Sequence, residues 1–284
     1  MKNVLGDNLT LTLFGESHLE YIGGTLDGLT PGIKIDEEFI KHFLSLRRPC
    51  CKTDTARVEE DEYKIISGVF NGYTTGAPLT IIIPNNNVNS NAYTDLESKA
   101  RPSHADYAAY QKYHGFSDYR GGGHFSGRIT AVIVALGSIC LKALNDKGIK
   151  IGTHILKCGS VIDKAFENDS EIDLINNKKI PLINNLDAKL ESEVLKVKEN
   201  KDSIGGVIET MITNAPAGIG DPWFSSVEGK ISNAVYSIGG VKGIEFGLGF
   251  GFQDGFGSNL NDEFYLDNGV VKTKTNNNGG INGG

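Results

Sequence analysis

The stretch RGGGHFSGR, from Arg120 to Arg128, combines two arginines with three glycines, a histidine and a serine. Glycine backbone permits positive φ angles and close approach, so its N–H groups can converge on an anion. The stretch leads directly into an apolar helical run, and a helix N-terminus favours negative charge. Many glycine-rich turns bind nothing, but the flanking arginines favour a phosphate site. Neither G-x-x-x-x-G-K-[ST] nor G-x-G-x-x-G occurs, which disfavours the common nucleotide-binding loops.

Two Ser-His dipeptides supply candidate acid–base groups. Ser17 and His18 end the motif GESH, and Ser103 and His104 lie within RPSHADY. An imidazole, with an ordinary pKa of about 6.5, can give or take a proton at neutral pH. A solvated or backbone-bonded histidine is the alternative for either residue taken singly. Because the pair recurs beside a glycine or proline turn, the sequence favours proton transfer at both positions.

Five arginines lie next to Gly, Pro, Ser or His turns: Arg47, Arg48, Arg101, Arg120 and Arg128. The first two, in LRRP, end a predicted helix, where they could simply complement its dipole. Adjacent guanidinium groups could also clamp a phosphate or carboxylate through paired hydrogen bonds. The five together predict a site for a small polyanion. The acidic run VEEDE, by contrast, predicts a solvated turn.

The composition predicts a globular protein that catches its anion locally. Of 284 residues, 39 % are hydrophobic and 22 % charged, and the formal charge is -7. Such a charge would repel nucleic acid and anionic lipid, so we expect neither as a partner. No apolar run approaches the roughly 20 residues that cross a bilayer, and the first residues lack a signal-peptide layout, so we expect a cytoplasmic protein. The four cysteines show no zinc-ligand spacing, which predicts free thiols and no metal site.

The elements that must position these groups follow from apolar periodicity. LTLTLFGESH alternates like a strand, DGLTPG predicts a turn, and a helix follows Asp36. Val58 to Asn85 predicts a meander that ends in a buried strand at Thr80–Ile83. Ile129–Leu144 is apolar on nearly every face and predicts a central helix.

The second half mixes strands and helices without a regular βαβ alternation. We expect a strand in 149–162, a surface excursion over 163–186 and a charged helix at Asp187–Lys198. After these we expect a β-rich run in GGVIETMITNAPAG, a helix in SVEGKISNAVYSI and a strand in VKGIEFGLGFGF. This order predicts an α+β fold, a layered sandwich with central helices packed between two antiparallel β-sheets.

The motifs taken together, in order and along nearly the whole chain, resemble those of the chorismate synthase family. They are GESH, DGLTPG, LRRP, SGVFNGYTTGAP, RPSHADY, KYHGFSDYRGGG, DSIGG, PAGIGDP, SIGGVKGIEFGLGF and NNNGGINGG. The resemblance implies a lyase of the shikimate pathway, in aromatic amino acid biosynthesis, that eliminates phosphate in a trans-1,4 sense from 5-enolpyruvylshikimate 3-phosphate to give chorismate. It implies reduced FMN, which is not consumed overall, an external reductant that draws indirectly on NADPH, and a homotetramer.

The same resemblance assigns roles to individual residues. His18 would protonate the departing phosphate, and His104 would protonate the flavin near its pyrimidine edge. Ser17, Arg47, Arg48, Arg101 and Arg128 would contact the substrate, whereas Arg47, His124, Phe125, Ser126, Gly239, Gly240 and Gly283 would contact the flavin. His124 and Phe125 stand where the family usually has Arg and Ser, so one charge near the flavin becomes titratable.

The family normally continues for several dozen residues past the motif GGINGG. We therefore expect residues 1–284 to form a single chorismate-synthase-like domain that lacks its C-terminal portion. Two other readings stay open: a protein that binds anion and flavin without turnover, and an unrelated phosphotransferase. The absence of a nucleotide loop argues against the second.

Overall fold

The computed structural model describes residues 2–49, 51–54, 59–86 and 99–284. The chain forms two compact units, Met1–Ala215 and Pro216–Gly284. All but three of the residues predicted to bind substrate or cofactor belong to the first unit.

The first unit begins with a five-stranded antiparallel sheet in the order β1-β2-β3-β7-β4. Strand β7 contains the predicted strand Thr80–Ile83, and its residues alternate, with Leu79, Ile81 and Ile83 buried on one face. Two further strands, β5 and β6, pair as a small hairpin. The strands are β1 (Val4–Leu5), β2 (Thr10–Gly15), β3 (Tyr21–Asp27), β4 (Lys64–Ser67), β5 (Val69–Phe70), β6 (Tyr73–Thr74) and β7 (Leu79–Pro84).

Three helices follow from clear local signals. Helix α1 (Glu37–Leu46) is capped by Asp36, whose carboxylate accepts from the Phe39 N–H at 3.0 Å. Helix α2 (Asp106–Tyr113) is short, and α3 (Thr130–Asn145) is the predicted central helix. A Cβ on Gly24 would lie 2.7 Å from Cγ1 of Val132, so α3 crosses β3 too closely for any side chain there.

A second antiparallel sheet, in the order β10-β8-β9, completes the first unit. Its strands are β8 (Lys150–Cys158), β9 (Val161–Ile162) and β10 (Gly206–Thr213), and its helices are α4 (Ser170–Ile175) and α5 (Asp187–Glu199). Helix α3 contacts β3 and β7 of the first sheet and β8 of the second. The predicted α+β class, with helices packed between antiparallel sheets, is therefore confirmed.

The segment 163–186 is not the surface excursion that its polar composition predicts. Helix α4 lies within it, and Ile172, Ile175 and Leu182 are buried. A Cβ on Gly152 would lie 2.9 Å from Cγ2 of Ile172, which shows how closely α4 covers strand β8. Three apolar residues in a polar stretch are enough to turn it inward, because each buried side chain contributes about 1.5–3 kcal/mol.

One expectation about the membrane is also corrected. The 19-residue helical segment Gly127–Asn145 is long and apolar enough to cross a bilayer, by length and composition. In the structure it contains α3, whose residues Ala131, Val132, Ala135 and Leu136 pack in the main core with residues of the first sheet and of α1. Its apolar composition is thus explained by burial within the protein.

The second unit contains α6 (Val227–Tyr236), α7 (Gly257–Leu260) and a hairpin of β11 (Phe264–Asp267) and β12 (Val270–Thr273). The strand predicted for VKGIEFGLGFGF is wrong: residues 241–248 have no regular structure, and a 3₁₀ turn begins at Gly249. Gly247 and Gly249 have φ angles of 57° and 51°, which are incompatible with an extended strand. A Cβ on Gly247 would lie 2.0 Å from the Asn277 carbonyl oxygen, so close backbone packing explains that glycine.

Tyr63, packed against the first core, gives a test of the fold at alkaline pH. Burial, followed by the charges of Glu37 and Glu38, raises its pKa to about 12 from 10.0, and its hydroxyl meets no hydrogen-bond partner among the described residues. The neutral phenol is therefore favoured in the folded state, and its contribution to stability is lost as the pH rises from 10.0 towards 12. We expect Tyr63→Phe to remove this loss and to be neutral or stabilising at pH 8, because it deletes an unsatisfied polar atom.

Urea unfolding at pH 8 and pH 11 measures the effect, with Tyr21→Phe as a control at an exposed tyrosine. An equal difference between parent and Tyr63→Phe at both pH values would contradict the expectation.

Candidate active site

The turn between β2 and β3 places the first predicted acid–base pair in the interior. Ser17 is fully buried and His18 is 8 % exposed. The Ser17 hydroxyl lies 3.1 Å from Nδ1 of His18 and donates towards the carbonyl oxygens of Arg120 and Gly121, at 3.3 and 3.2 Å. When the hydroxyl donates to one of those carbonyls, its oxygen can accept from a protonated Nδ1 of His18. Ser17 thereby fixes the orientation of the His18 ring.

The glycine loop of residues 121–123 packs closely against Ser17 and His18. We call the space that it leaves for the His18 ring the glycine socket. Gly121, Gly122 and Gly123 have φ angles of 56°, 85° and 54° within a 3₁₀ turn. A Cβ on Gly121 would lie 2.1 Å from Cε1 of His18 and 2.9 Å from Oγ of Ser17. The glycines thus allow side chains, rather than an anion, to reach the backbone at this point.

The prediction that the three glycine amides converge on an anion is wrong for Gly122, and the neighbouring amide of Arg120 is also occupied. The Arg120 N–H donates to Oδ1 of Asp118 at 3.0 Å, and the Gly122 N–H donates to the Tyr119 carbonyl at 3.2 Å. The side chain of Arg120 also donates two hydrogen bonds to the carboxylate of Asp118. These donors are satisfied within the protein, because a tight turn brings its own acceptors close to them.

The second acid–base pair lies against the next glycine. A Cβ on Gly122 would contact Cε1 and Nε2 of His104 at 3.4 Å and Nη2 of Arg101 at 3.7 Å. Consecutive Cα atoms are about 3.8 Å apart, so the imidazoles of His18 and His104 lie next to adjacent residues of one short loop. The structure therefore brings together the residues that GESH, RPSHADY and RGGGHFSGR predict.

Asp106 holds the second pair in place. Its carboxylate accepts from Nε, Nη2 and the backbone N–H of Arg101 at 2.8, 2.9 and 2.9 Å, and it lies 2.6 Å from Nδ1 of His104. The hydrogen bonds from the Arg101 guanidinium hold the pKa of Asp106 well below its usual range. The carboxylate is thus ionised throughout the range in which an enzyme would work.

Two of the predicted substrate arginines, Arg47 and Arg128, belong to one cluster of buried ion pairs. Arg128 is 6 % exposed and pairs with Asp61 through Nη1 and with Glu59 at 3.0 Å through Nη2. Asp61 also accepts from Nη1 of Arg47 at 2.5 Å. The prediction that VEEDE is a solvated turn is therefore wrong for Glu59 and Asp61, whose side chains are 8 % and 1 % exposed. They are buried because they neutralise guanidinium groups that are themselves buried. Glu60 and Glu62 are exposed, and Val58 lies outside the described residues.

Asn85 connects this cluster to the turn that bears Ser17 and His18. Its Oδ1 accepts from Nε of Arg128 at 3.1 Å, while its amide nitrogen donates to the carbonyls of Glu16 and Leu19 at 3.0 and 2.7 Å. The guanidinium of Arg128 also donates to the Pro84 carbonyl at 3.0 Å. Arg47, Arg128 and the histidine turn consequently belong to one hydrogen-bonded network.

The arginines do not form a bare cationic patch. Arg101 pairs with Asp106, Arg120 with Asp118, and both Arg47 and Arg128 with Asp61. The carboxylates orient the guanidinium groups and offset their charge. Arg48 donates to the Glu60 carbonyl and, with Arg47 and Lys179, lines a cavity of about 320 Å³ at the end of α1.

The predicted flavin segment follows the glycine loop directly. Nδ1 of His124 donates to the Gly15 carbonyl at 2.8 Å, which anchors the ring to the end of β2. Phe125 is 44 % exposed, with its ring centroid 6.4 Å from that of Tyr113, and Oγ of Ser126 accepts from the Arg128 N–H at 3.3 Å. An exposed aromatic ring beside imidazole and glycine backbone suits a flat, polar-edged cofactor.

Gly239, Gly240 and Gly283 belong to the second unit, and their flavin contacts stay a prediction. Gly240 and Gly283 have positive φ angles of 93° and 83°. Cys50, one of the four cysteines, lies outside the described residues, whereas Cys140 and Cys158 are free thiols.

Sequence reasoning missed Asp61, Asn85 and Asp106. Asp106 lies two residues after His104, a spacing that allows a side chain at a helix start to reach back into the preceding turn. Asp61 is hidden in an acidic run and Asn85 in an Asn-rich one. The available signal was the excess of arginines at turns, because buried guanidinium groups need carboxylate or carbonyl partners.

The fold and the site together define a class of α+β protein in which two imidazoles and several oriented guanidinium groups lie near one glycine loop. Such a site is suited to acid–base chemistry on an anionic small molecule. A sequence profile of the family described as chorismate synthase matches residues 9–284. The chain belongs to the chorismate synthase family.

Similar proteins agree with this assignment over the whole chain. Proteins named chorismate synthase from Thermococcus kodakarensis and Dehalococcoides mccartyi are 42 % and 39 % identical over 98 % and 100 % of this chain, and the matches cover 78 % and 79 % of their own lengths. A solved structure described as a crystal structure of chorismate synthase superposes with a TM-score of 0.79 at 29 % identity, covering 98 % of this chain and 80 % of that one. The chain is thus an enzyme of the lyase class and of the shikimate pathway.

Proposed function

We propose that this protein converts 5-enolpyruvylshikimate 3-phosphate to chorismate by trans-1,4 elimination of phosphate, in the presence of reduced FMN. The observation that supports the proposal is that His18 and His104 lie against two consecutive glycines of one loop, Gly121 and Gly122. Ser17 contacts Nδ1 of His18 and Asp106 contacts Nδ1 of His104, so both rings have a fixed orientation next to the loop.

The chemistry of the substrate explains the surrounding groups. It carries one phosphate and two carboxylates, and the reaction builds further charge on the leaving phosphate, which oriented cations stabilise. Ser17, Arg47, Arg48, Arg101 and Arg128 would bind these anionic groups, and His18 would deliver its Nε2 proton to the departing phosphate. The paired carboxylates keep the guanidinium groups oriented before the substrate arrives, which lowers the ordering cost of binding.

The residues present also fit a flavin. Reduced FMN would supply a transient electron and a base for the ring proton. Arg47, His124, Phe125, Ser126, Gly239, Gly240 and Gly283 would hold it, and His104 would present its Nε2 proton towards the pyrimidine edge. We further propose a homotetramer in the cytoplasm that receives electrons from an external reductant, fed indirectly by NADPH.

Anaerobic assays with reduced FMN test the proposal by measuring chorismate and released phosphate together. We expect both in equal amounts, and neither with oxidised FMN. His18→Ala should lower kcat by roughly 10²-fold or more, the usual contribution of a positioned acid. His114→Asn is the matched control, because His114 is exposed at the end of α2 with a φ of 55°, which asparagine tolerates.

Two results would overturn the assignment. Binding of flavin and substrate without release of phosphate would identify a binding protein. Phosphate transfer that depends on ATP would identify a phosphotransferase.

A further inference from the structure

We propose that Asp106 is a positioning residue that fixes the proton of neutral His104 on Nδ1 and thereby directs Nε2 at the glycine loop. The inference concerns the part that His104 plays in the proposed function. It rests on the convergence of three different groups on one carboxylate at the start of α2.

The two oxygens of Asp106 divide their partners. Oδ2 accepts from the backbone N–H and from Nε of Arg101, at 2.9 and 2.8 Å. Oδ1 accepts from Nη2 of Arg101 at 2.9 Å and lies 2.6 Å from Nδ1 of His104. The side chain is almost buried, so water competes weakly for these oxygens. One carboxylate therefore sets the positions of the imidazole and the guanidinium relative to each other.

The contacts also decide where the imidazole carries its proton. Nδ1 of His104 lies 3.1 Å from Nη2 of Arg101 as well as 2.6 Å from the carboxylate. A guanidinium only donates and a carboxylate only accepts, so Nδ1 can satisfy one of them at a time. The shorter bond is to an ionised acceptor, and Nη2 already donates to the same oxygen. Nδ1 consequently carries the proton.

The opposite ring nitrogen then faces the loop. Nε2 and Cε1 of His104 approach the Cβ position of Gly122 at 3.4 Å. With Nδ1 protonated, Nε2 of the neutral ring is an acceptor, and in the charged ring it is the donor that a ligand above the loop would meet. Without Asp106, a neutral imidazole would be free to protonate Nε2 and could turn its Nδ1 lone pair towards Arg101. That arrangement cannot accept a proton at the loop.

The chain supplies a matched control in Asp118. Its carboxylate accepts from the backbone N–H, Nε and Nη2 of Arg120 at 3.0, 2.8 and 2.9 Å, as that of Asp106 does from Arg101. The imidazole with which Asp118 interacts electrostatically is that of His18. Asp118→Ala therefore removes an aspartate–arginine pair with the same hydrogen-bond geometry as the pair of Asp106 and Arg101. It should leave the proton position of His104 unchanged.

The experiment is ¹⁵N NMR of histidine-labelled protein without flavin or substrate, at a pH where the rings are neutral, with His104→Gln to assign the resonance. We expect Nδ1–H in the parent and in Asp118→Ala, and a shift to Nε2–H in Asp106→Ala. Asp106→Asn, whose amide oxygen can still accept from Nδ1, should retain more Nδ1–H than Asp106→Ala. Nε2–H in the parent, or an unchanged proton position in Asp106→Ala, would overturn the inference, and the parent spectrum decides it even where a variant fails to fold.

Steady-state kinetics then tests the consequence for turnover. Asp106→Ala should lower kcat by roughly 10²-fold, and Asp106→Asn should recover part of it in the same order as the Nδ1–H signal. A changed proton position with an unchanged kcat would contradict a role in positioning. A parent that shows Nδ1–H but produces no chorismate would leave the assignment of Asp106 intact and would remove the proposed reaction instead.

Discussion

Gly121→Ala should lower kcat/KM by roughly 100-fold or more, because the added methyl group occupies the position of the His18 ring. The new Cβ would lie 2.1 Å from Cε1 and 2.4 Å from Nδ1 of His18, and the φ angle of 56° already disfavours any side chain. His18 is buried, so the ring or the loop must move, and a displacement of about 1 Å at a catalytic group costs about 10²-fold in rate. The loop residue Gly127 gives the control, since no atom lies within 4 Å of its Cβ position.

Chorismate formation and thermal unfolding should be measured for both variants. We expect Gly127→Ala to behave as the parent in both assays. Gly121→Ala should lose about 1–3 kcal/mol of stability in addition to its activity. Parent-like turnover by Gly121→Ala would show that His18 can leave its socket without consequence.

Asp61→Asn should destabilise the first unit by about 3–5 kcal/mol, the usual cost of removing one partner from a buried ion cluster. Asp61 contacts both Arg47 and Arg128, and its side chain is 1 % exposed. Asparagine keeps the size and tolerates the φ angle of 52°, so the loss reports on the charge and the hydrogen bonds alone. The amide group would place N–H donors beside guanidinium donors, which leaves positive charge buried without compensation.

Urea unfolding at pH 7 compares this variant with Asp27→Asn, a change at the exposed end of β3 that should stay within about 0.5 kcal/mol of the parent. A loss below about 1 kcal/mol for Asp61→Asn would show that Glu59 alone can neutralise the cluster. Full stability with lost substrate binding would instead place Asp61 in recognition and not in folding.

Local sequence predicts those parts of the fold that depend on neighbouring residues. The helix after Asp36, the strand at Thr80–Ile83 and the apolar helix α3 are all confirmed, because each is a pattern within one element. The strand predicted for VKGIEFGLGFGF is wrong because Gly247 and Gly249 have positive φ angles, and Gly247 packs closely against the backbone of residue 277. Local alternation cannot reveal such a distant contact.

The residues of the candidate site likewise fall into two groups, those that the sequence reveals and those that only the fold reveals. Histidines and arginines at turns are visible in the sequence because their residue types are chemically distinctive. Their partners Asp61, Asn85 and Asp106 are ordinary polar residues, and only the fold shows which of them is buried against a guanidinium group. The fold likewise shows that the Ser17 hydroxyl lies within hydrogen-bond distance of two backbone carbonyls, at residues 120 and 121.

The close fit of His18 into the glycine socket couples two positions that are far apart in the chain. A methyl group at position 121 is harmful because a ring already fills that space, so its effect should depend on the residue at position 18. A smaller residue at 18 would make room for alanine at 121, and the two substitutions together would damage the protein less than the sum of their separate effects. Evolution is therefore expected to change these two positions jointly or to keep both.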